Sequence, residues 1–388
     1  DKMSEANREQ MSKYIQGTWD IIVDGIAKER NITEEELNRI ADNLLITNAQ
    51  DAKDYNLIDF VGHYDEAVAY MKQLTQTKED KKLATVSINN YKNVEVDDDK
   101  EFTKDRIAVI YAQGQIVDGK GNDTKIGDQT LIKSIRSARE DKNVKAVVLR
   151  VNSPGGSALA SEVILREIEL TQKEKPVIAS FGATAASGGY YISCKCDKII
   201  CNPLCVTGSI GVFGMIPNAQ KLLNEKIGIT TDIVTTNRNS NELNILEGMT
   251  PEMKQFWNKQ VDDIYTTFIG HVSEGRDLTT ARVDEIGQGR VWLGPDAIDI
   301  KLVDKLGGLE TAITEAAAIA ELDNYQITTF PKQKDALTML MEMLQGEESI
   351  NIKHSDLGML FAPYQALKYL VEMEGVQARL PFIYQLEN

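Results

Sequence analysis

The chain has 388 residues, of which 42% are hydrophobic and 26% are charged. This is an ordinary globular composition, which excludes global disorder, and the length suits two or three modules. Acidic side chains outnumber basic ones by 59 to 43, a formal net charge of -16 that repels phosphate backbones, so no nucleic acid partner is expected. No apolar run approaches the roughly 20 residues that span a bilayer. The chain is therefore expected to be soluble, and because it opens with Asp1 instead of an initiator methionine, we expect a processed product or a fragment.

The first feature along the chain is a segment that returns later. Residues 51–62 (DAKDYNLIDFVG) match residues 296–307 (DAIDIKLVDKLG) at six identical positions. An amphipathic helical pattern precedes each copy, beginning near Met3 in one and near Met249 in the other. Residues 1–75 are therefore predicted to be the closing part of a first repeat.

The rest of the chain divides into three parts that differ in composition and hydrophobic pattern. Residues 76–105 are polar and charged and are predicted to be a linker. Residues 106–330 form the complete repeat, in which short apolar strands alternate with helical patterns. The strands are predicted at 107–111, 146–151, 177–181, 198–201 and 229–234. This alternation predicts parallel βαβ units in a sheet covered on both faces. Residues 331–388 are predicted to be a helical tail, from the pattern at 336–344.

Three glycine-rich loops follow strands of the complete repeat: residues 152–157 (NSPGGS), 185–191 (AASGGYY) and 207–213 (TGSIGVF). Each alone is typical of a tight turn or a helix cap. Together they place the hydroxyl of Ser187 at a helix N-terminus opposite backbone amides. A nucleophile beside donors for a developing oxyanion is the arrangement that acyl transfer requires. The donors would be the amides of Gly155 or Gly156 and of Gly188.

The base that would activate Ser187 is not evident from the residues alone. The three histidines, His63, His271 and His354, lie outside the loops, which disfavours a histidine base. A lysine whose pKa is lowered by burial is the other common solution. Lys195 and Lys198 are nearby, although solvated ends of a helix and a strand are the simpler interpretation.

All four cysteines lie in one short run, at Cys194, Cys196, Cys201 and Cys205. The run lacks the paired C-x-x-C spacing of structural zinc sites, and four thiols exclude a disulfide scaffold in a chain of this size. We interpret them as small apolar core residues. Neither a metal nor a cofactor is expected.

The motifs at 152–156 (NSPGG), 186–190 (ASGGY) and 207–211 (TGSIG), in this order, resemble those of signal peptide peptidase A, or protease IV, in its large two-repeat form. The resemblance implies an α/β ClpP/crotonase-like βαβ superhelix, built as a tandem repeat with its first copy truncated. It implies a serine protease with a Ser/Lys dyad that degrades signal peptides left after secretion. By motif, Ser187 is the nucleophile, Ser209 orients the lysine amine, and Gly155, Gly156 and Gly188 form the oxyanion region.

The resemblance also implies a membrane location and an oligomeric state, and the sequence differs from the family pattern at the position of the lysine. Relatives of this form are homotetramers anchored in the inner membrane of Gram-negative bacteria, with the catalytic part on the periplasmic side. In single-repeat members the lysine falls at position 238, which is Arg238 here, and a guanidinium stays protonated. In the two-repeat form the lysine comes from the first repeat. The repeat offset of 246 (249 − 3) puts its counterpart at −8 (238 − 246), ahead of Asp1. The chain alone is therefore expected to be catalytically silent or severely impaired.

Two other functions fit the same loops. A crotonase-like acyl-CoA hydratase or hydrolase shares the fold and the amide oxyanion hole but needs no nucleophilic serine. A catalytically silent oligomerisation fragment would need neither a nucleophilic serine nor an oxyanion hole. Covalent labelling of Ser187 distinguishes the peptidase from the acyl-CoA enzyme, which would instead bind CoA tightly.

Overall fold

The computed structural model describes residues 2–91, 103–122, 124–237, 239–240, 246 and 248–330, together with the strand at 376–379. The chain divides into two compact units. The larger unit contains Asp1–Gln10 and Thr103–Asn388, and the smaller unit contains Met11–Phe102. The predicted tail helix at 336–344 lies outside the described residues.

The smaller unit is helical. Its helices are α1 (Glu5–Arg30, of which the part up to Gln10 belongs to the larger unit), α2 (Glu34–Asp42), α3 (Ala49–Asp54), α4 (Tyr64–Leu74) and α5 (Ile88–Tyr91). Helix α2 begins at Thr33, whose side chain accepts a hydrogen bond from the Glu36 amide. Val23 of α1 and Leu37 and Ile40 of α2 are buried apolar residues of this unit.

The larger unit alternates strands and helices. Its strands are β1 (Arg106–Gln113), β2 (Gln115–Val117), β3 (Gly121–Asn122), β4 (Lys125–Gly127), β5 (Val144–Ser153), β6 (Gly155–Ser157), β7 (Val177–Ala186), β8 (Lys198–Cys201), β9 (Val206–Gly208), β10 (Phe213–Gly214), β11 (Val291–Trp292), β12 (Lys305–Leu306), β13 (Gln326–Phe330) and β14 (Val376–Arg379). Its helices are α6 (Asp128–Glu140), α7 (Ala158–Gln172), α8 (Gly188–Tyr191), α9 (Pro251–Arg276), α10 (Thr280–Ile286), α11 (Gly294–Asp299) and α12 (Leu309–Ile319), with a π-helical turn at Leu222–Ile227.

The first sheet has the order β11-β9-β7-β5-β1-β13, and β8 pairs with both β7 and β12. All of these pairs are parallel except β11 with β9. Alternate residues of β1 enter different cores: Ile110 packs among α6, α7 and α9, whereas Val109 packs against α12. Helices thus cover both faces, and the predicted parallel βαβ architecture is confirmed.

A second sheet has the order β10-β14-β6-β2-β4-β3. Strand β6 pairs in parallel with β2, where Gly156 lies opposite Ile116. A Cβ atom on Gly156 would overlap the Ile116 carbonyl oxygen, so this position requires glycine. Strand β14, in the region expected to be a helical tail, pairs antiparallel with both β6 and β10.

The strand predicted at 229–234 is wrong. These residues have no regular secondary structure. Ile229 is 50% exposed and Val234 is 99% exposed, and none of the described strands pairs with them. The β-branched residues match strand composition, but a strand needs a neighbour to satisfy its backbone.

The cysteines are core residues, as interpreted. All four are free and buried, and they belong to the core cluster between the first sheet and its helices. Burial raises the pKa of the Cys194 thiol to about 12, which keeps it protonated and unreactive.

The two repeats share specific side-chain contacts. Ser4 caps α1 by accepting a hydrogen bond from the amide three residues on, and Thr250 caps α9 in the same way. Trp19 donates to Asn38 across 2.7 Å, and 246 positions later Tyr265 donates to Asp284 across 2.7 Å.

An arginine contact recurs as well. Arg30 bonds the Asn56 carbonyl and the Asp59 carboxylate, while Arg276 bonds the Lys301 carbonyl and Asp304. Matched side-chain contacts therefore recur between residues 4–59 and residues 250–304.

Candidate active site

Ser187 lies in a sharp turn between strand β7 and helix α8. Its backbone is strained, with φ 53° and ψ −115°, a region that residues other than glycine rarely adopt. Two hydrogen bonds hold the turn: the Ser187 amide donates to the Gly208 carbonyl at 2.8 Å, and its carbonyl accepts from the Tyr191 amide at 2.7 Å. A serine in a strained strand-to-helix turn is the arrangement that aims a nucleophilic hydroxyl away from its own backbone.

Ser209 lies directly beside Ser187. Strands β7 and β9 are parallel, and Ala186 pairs with Gly208, so the next residue of each strand is a serine. Neighbouring strands are about 4.8 Å apart, which puts the two serines within side-chain reach. Ser209 also has a positive φ of 47°, and its amide donates to the Arg290 carbonyl at 2.7 Å.

The first glycine loop packs against the start of α8. A Cβ atom on Gly189 would come within 2.8 Å of the Ser153 carbonyl oxygen, so the loop touches the turn of the nucleophile candidate. The amide of Gly155 donates to the Ser153 hydroxyl at 3.1 Å. The amide of Gly188 is the first of α8, and the first amides of a helix have no acceptor within it. The structure therefore brings all five predicted site residues into one region.

The hydroxyl of Ser187 faces the third loop. Its Oγ lies 3.5 Å from the Gly211 carbonyl oxygen, a long hydrogen bond. Both serine side chains are covered, since Ser187 is 0% exposed and Ser209 is 1% exposed. A cavity of about 390 Å³ adjoins Ser209, and its other lining residues are Gly211, Val212, Phe213, Val261, Asp262, Tyr265, Gln288 and Gly289.

Both nearby lysines are held in ion pairs. Lys195 donates to Glu169 at 2.8 Å and to Glu274 at 2.6 Å. Burial would lower the pKa of the Lys195 ammonium, but these two hydrogen bonds outweigh that effect and raise it. Lys198 is paired with Glu315 at 2.6 Å. Both lysines serve as ion-pair partners, but only Lys198, whose side chain is 42% exposed, is the solvated end that was expected; the Lys195 side chain is 14% exposed. Arg238 lies outside the described residues.

The two histidines in the described part of the chain are held by other contacts. His63 caps α4 in the smaller unit. The Nε2 atom of His271 lies 3.0 Å from Glu162 Oε2. His354 lies outside the described residues.

Two tyrosines fix helix α8 to its surroundings. The Tyr190 hydroxyl donates to the Leu302 carbonyl at 2.8 Å, and the Tyr191 hydroxyl donates to Glu162 at 2.5 Å. Glu162 also contacts His271, and this hydrogen bond is the main reason that the pKa of its carboxyl is lowered. The helix that follows Ser187 is thus attached at both sides.

Sequence reasoning missed several of these contributors. The sequence motifs contained Ser153, Gly211 and Tyr191 but did not show their partners. Ser153 accepts from the Gly155 amide, Gly211 accepts from the Ser187 hydroxyl, and Tyr191 donates to Glu162. Strand β14 gave no local signal at all, because its partners lie more than 160 residues earlier in the chain.

The fold and the site together define a class of protein. The larger unit is an α/β, ClpP/crotonase-like βαβ assembly in which strand ends bring two serines and a double-glycine loop together. The family model described as Peptidase family S49 matches residues 1–78 and 169–323, one segment in each repeat. The chain belongs to peptidase family S49.

Three relatives are similar over nearly all of its length. Protease 4 of Salmonella typhi is 34% identical over 97% of this chain and 61% of the relative. Protease 4 of Haemophilus influenzae is 33% identical over 94% of this chain and 62% of the relative. Serine protease SPPA, chloroplastic, of Arabidopsis thaliana is 33% identical over 97% of this chain and 56% of the relative. The chain thus spans roughly three fifths of the length of these proteins.

In the part of the chain that the structure describes, no helix has the length and apolar character needed to cross a membrane.

Proposed function

We propose that the protein is a serine peptidase that cleaves extended apolar peptides, such as cleaved signal peptides, through an acyl-enzyme. The observation that supports this most is the strained turn at Ser187, which lies beside Ser209 and against the double-glycine loop. Strain of this kind concentrates at functional sites. Membership of a peptidase family favours this reaction over that of an acyl-CoA enzyme.

The reaction proceeds in two halves. The Ser187 oxygen attacks the peptide carbonyl carbon while a neutral lysine amine accepts the hydroxyl proton. The oxyanion is bound by the amides of Gly156 and Gly188, while Gly155, whose amide bonds Ser153, shapes the loop. The lysine then returns the proton to the leaving amine, and water attacks the acyl-enzyme to release the second product. Ser209 accepts or donates a hydrogen bond to the lysine amine and holds it beside Ser187.

The lysine comes from the first repeat, ahead of Asp1 in the longer protein. The side chain of Gln10 supports this route. Its amide nitrogen donates to the Val291 carbonyl at 3.0 Å, and its oxygen accepts from the Val291 amide at 3.1 Å. Val291 pairs with Gly208, the residue before Ser209. The start of α1 is therefore attached to β11, the strand paired with the one that ends just before Ser209. Residues that precede α1 in the longer protein join the helix at this position.

The longer protein is a homotetramer anchored in the inner membrane, with the peptidase on the periplasmic side. This setting rests on the resemblance to protease IV and on the Protease 4 relatives.

Hydrolysis by two lengths of the protein tests the proposal. We expect a version extended through the first repeat to cleave a fluorogenic apolar peptide, and residues 1–388 alone to cleave it at least about 10³-fold more slowly, because the base is absent. Ser187→Ala in the extended version should abolish cleavage. Equal activity of both lengths would mean that a lysine within residues 1–388 is the base.

A further inference from the structure

Strand β14 lies where a peptide would have to bind. It runs between β6, which continues the double-glycine loop, and β10, which follows the Ser209 loop. It is antiparallel to both: Ala378 pairs with Gly156, and Gln377 pairs with Ser157 on one side and with Phe213 on the other. Its backbone also comes into contact with α8, the helix that begins after Ser187.

The gap that β14 fills is one strand wide. Strands in a sheet are about 4.8 Å apart, so β6 and β10 face each other across roughly 9.6 Å, the room for a single extended chain. Both neighbours are short, at three and two residues. Without β14 they would present unpaired backbone groups toward each other, which is the form of site that accepts a peptide by strand addition.

Backbone pairing makes such a site tolerant of sequence. Glycine at position 156 offers no side chain to discriminate between occupants, and a Cβ atom there would overlap the Ile116 carbonyl oxygen. An extended peptide of any composition can therefore form the hydrogen bonds that residues 376–379 form. With β14 in place, β6 has β2 and β14 as neighbours and has no edge left.

The covered state of the nucleophile candidate agrees with an occupied groove. Ser187 has no exposed surface, whereas attack on a peptide carbonyl requires that carbonyl to reach its oxygen within about 3.5 Å. A peptide aligned along the Gly155–Ser157 edge has to take the place of β14.

We propose that residues 376–379 are an internal competitor, which occupies the peptide-binding edge between β6 and β10 and is displaced by substrate. This inference rests on the proposed peptidase function. The competitor belongs to the same chain, so its binding is intramolecular and acts at any protein concentration.

Weakening the pairing of β14 in the extended, full-length protein tests this. Proline at position 378 removes an amide from a strand that is paired on both sides, and Ala378→Ser keeps the amide and serves as the matched control. We expect Ala378→Pro to raise kcat/KM for a fluorogenic apolar peptide roughly tenfold, and Ala378→Ser to leave it within about twofold. A synthetic peptide of residues 374–381 should inhibit Ala378→Pro competitively. An unchanged or lowered kcat/KM in Ala378→Pro would show that β14 is a fixed wall of the site.

Hydrogen exchange answers the same question without turnover or a proline. In full-length Ser187→Ala, the amides of 376–379 should be protected, and a capped decapeptide of alternating alanine and leucine should remove that protection while residues 155–157 keep theirs. Persistent protection of 376–379 at saturating decapeptide would overturn the proposal. If no version of the protein hydrolyses peptide, the proposed function is wrong. The exchange measurement still decides whether a peptide displaces β14.

Discussion

At the scale of single residues, the site depends on backbone conformations that side chains disfavour. Ser187 and Ser209 both have a positive φ, which costs on the order of 1–3 kcal/mol at each position. Backbone hydrogen bonds to Gly208 and Arg290 offset part of that cost. Strained residues other than glycine are common at functional sites, which agrees with the proposed roles of these two serines.

Ser209 is expected to position the base. Ser209→Ala in the extended protein should lower kcat/KM about 10²-fold and shift the acidic limb of the pH–rate profile, where the lysine must lose its proton, because the lysine amine loses a hydrogen-bond partner. Ser161→Ala is the matched control, since that buried hydroxyl only donates to the Ser157 carbonyl within α7. Equal losses in both variants would assign Ser209 a merely structural role.

Gly156 should tolerate no side chain. Gly156→Ala is expected to destabilise the protein by more than about 2 kcal/mol, because its Cβ would overlap the Ile116 carbonyl oxygen. Gly270→Ala in helix α9 has open space around its Cβ and should stabilise by about 0.5–1 kcal/mol. Chemical unfolding of the two variants measures the difference; a Gly156→Ala variant as stable as the parent would show that the loop shifts freely.

At the scale of elements, helix α8 is short and depends on its anchors. Four residues cannot form a stable helix alone, so the position of the Ser187 turn is maintained by contacts of the helix. Tyr190 attaches it to the Leu302 carbonyl, and Tyr191 attaches it to α7 through Glu162. The Tyr191 ring also packs on Phe268 of α9, with ring centroids 4.5 Å apart.

The Glu162 contact should make stability depend on pH. The lowered pKa of its carboxyl means that the ionised form is stabilised in the folded state, chiefly by His271. That contribution is present above the ordinary carboxyl pKa of 4.5 and is lost as the pH falls through the lower folded value. Glu162→Gln should therefore lower Tm by about 2 °C at pH 7, with a difference that shrinks below about pH 4.5.

Glu140→Gln, at the exposed end of α6, is the control and should change Tm little at either pH. A Glu162→Gln difference that persists undiminished at acid pH would show that packing, rather than charge, is responsible.

Sequence periodicity anticipated the elements of the first sheet because they are local. Strands β1, β5 and β7 are continuous apolar runs, and the intervening helices carry regular apolar spacing, so each is encoded within a dozen residues. Residues 229–234 have the same β-branched composition but no partner strand, and pairing is not encoded locally. Strand β14 was not predicted, for the opposite reason. Its four residues have no distinctive sequence pattern, and only pairing with strands far along the chain makes them a strand.

The candidate site was anticipated to a similar extent. The glycine-rich loops after successive strands placed Ser187, Ser209 and three glycines in one region, because the carboxyl ends of parallel strands meet at one edge. The Gly155 amide bond to Ser153 and the two ion pairs of Lys195 depend on side-chain directions that no spacing rule supplies.

At the scale of the whole molecule, the two repeats differ in how well their matched positions are covered. Asp304 in the complete repeat has a side chain that is 34% exposed, whereas its counterpart Asp59 is 87% exposed. Val303 is 3% exposed and its counterpart Ile58 is 36% exposed. We expect residues of the first repeat in the longer protein to cover these positions. Hydrogen exchange should accordingly show slower exchange at 57–61 in the extended version than in residues 1–388; equal exchange would contradict this.

The proposed peptidase reaction depends on one nucleophile, Ser187. Reacting the extended protein with a fluorophosphonate and mapping the adduct by mass spectrometry tests this directly. We predict a single modified residue, Ser187, with labelling lost in Ser187→Ala and retained in Ser161→Ala. An adduct on another serine, or undiminished peptide cleavage by Ser187→Ala, would contradict the account.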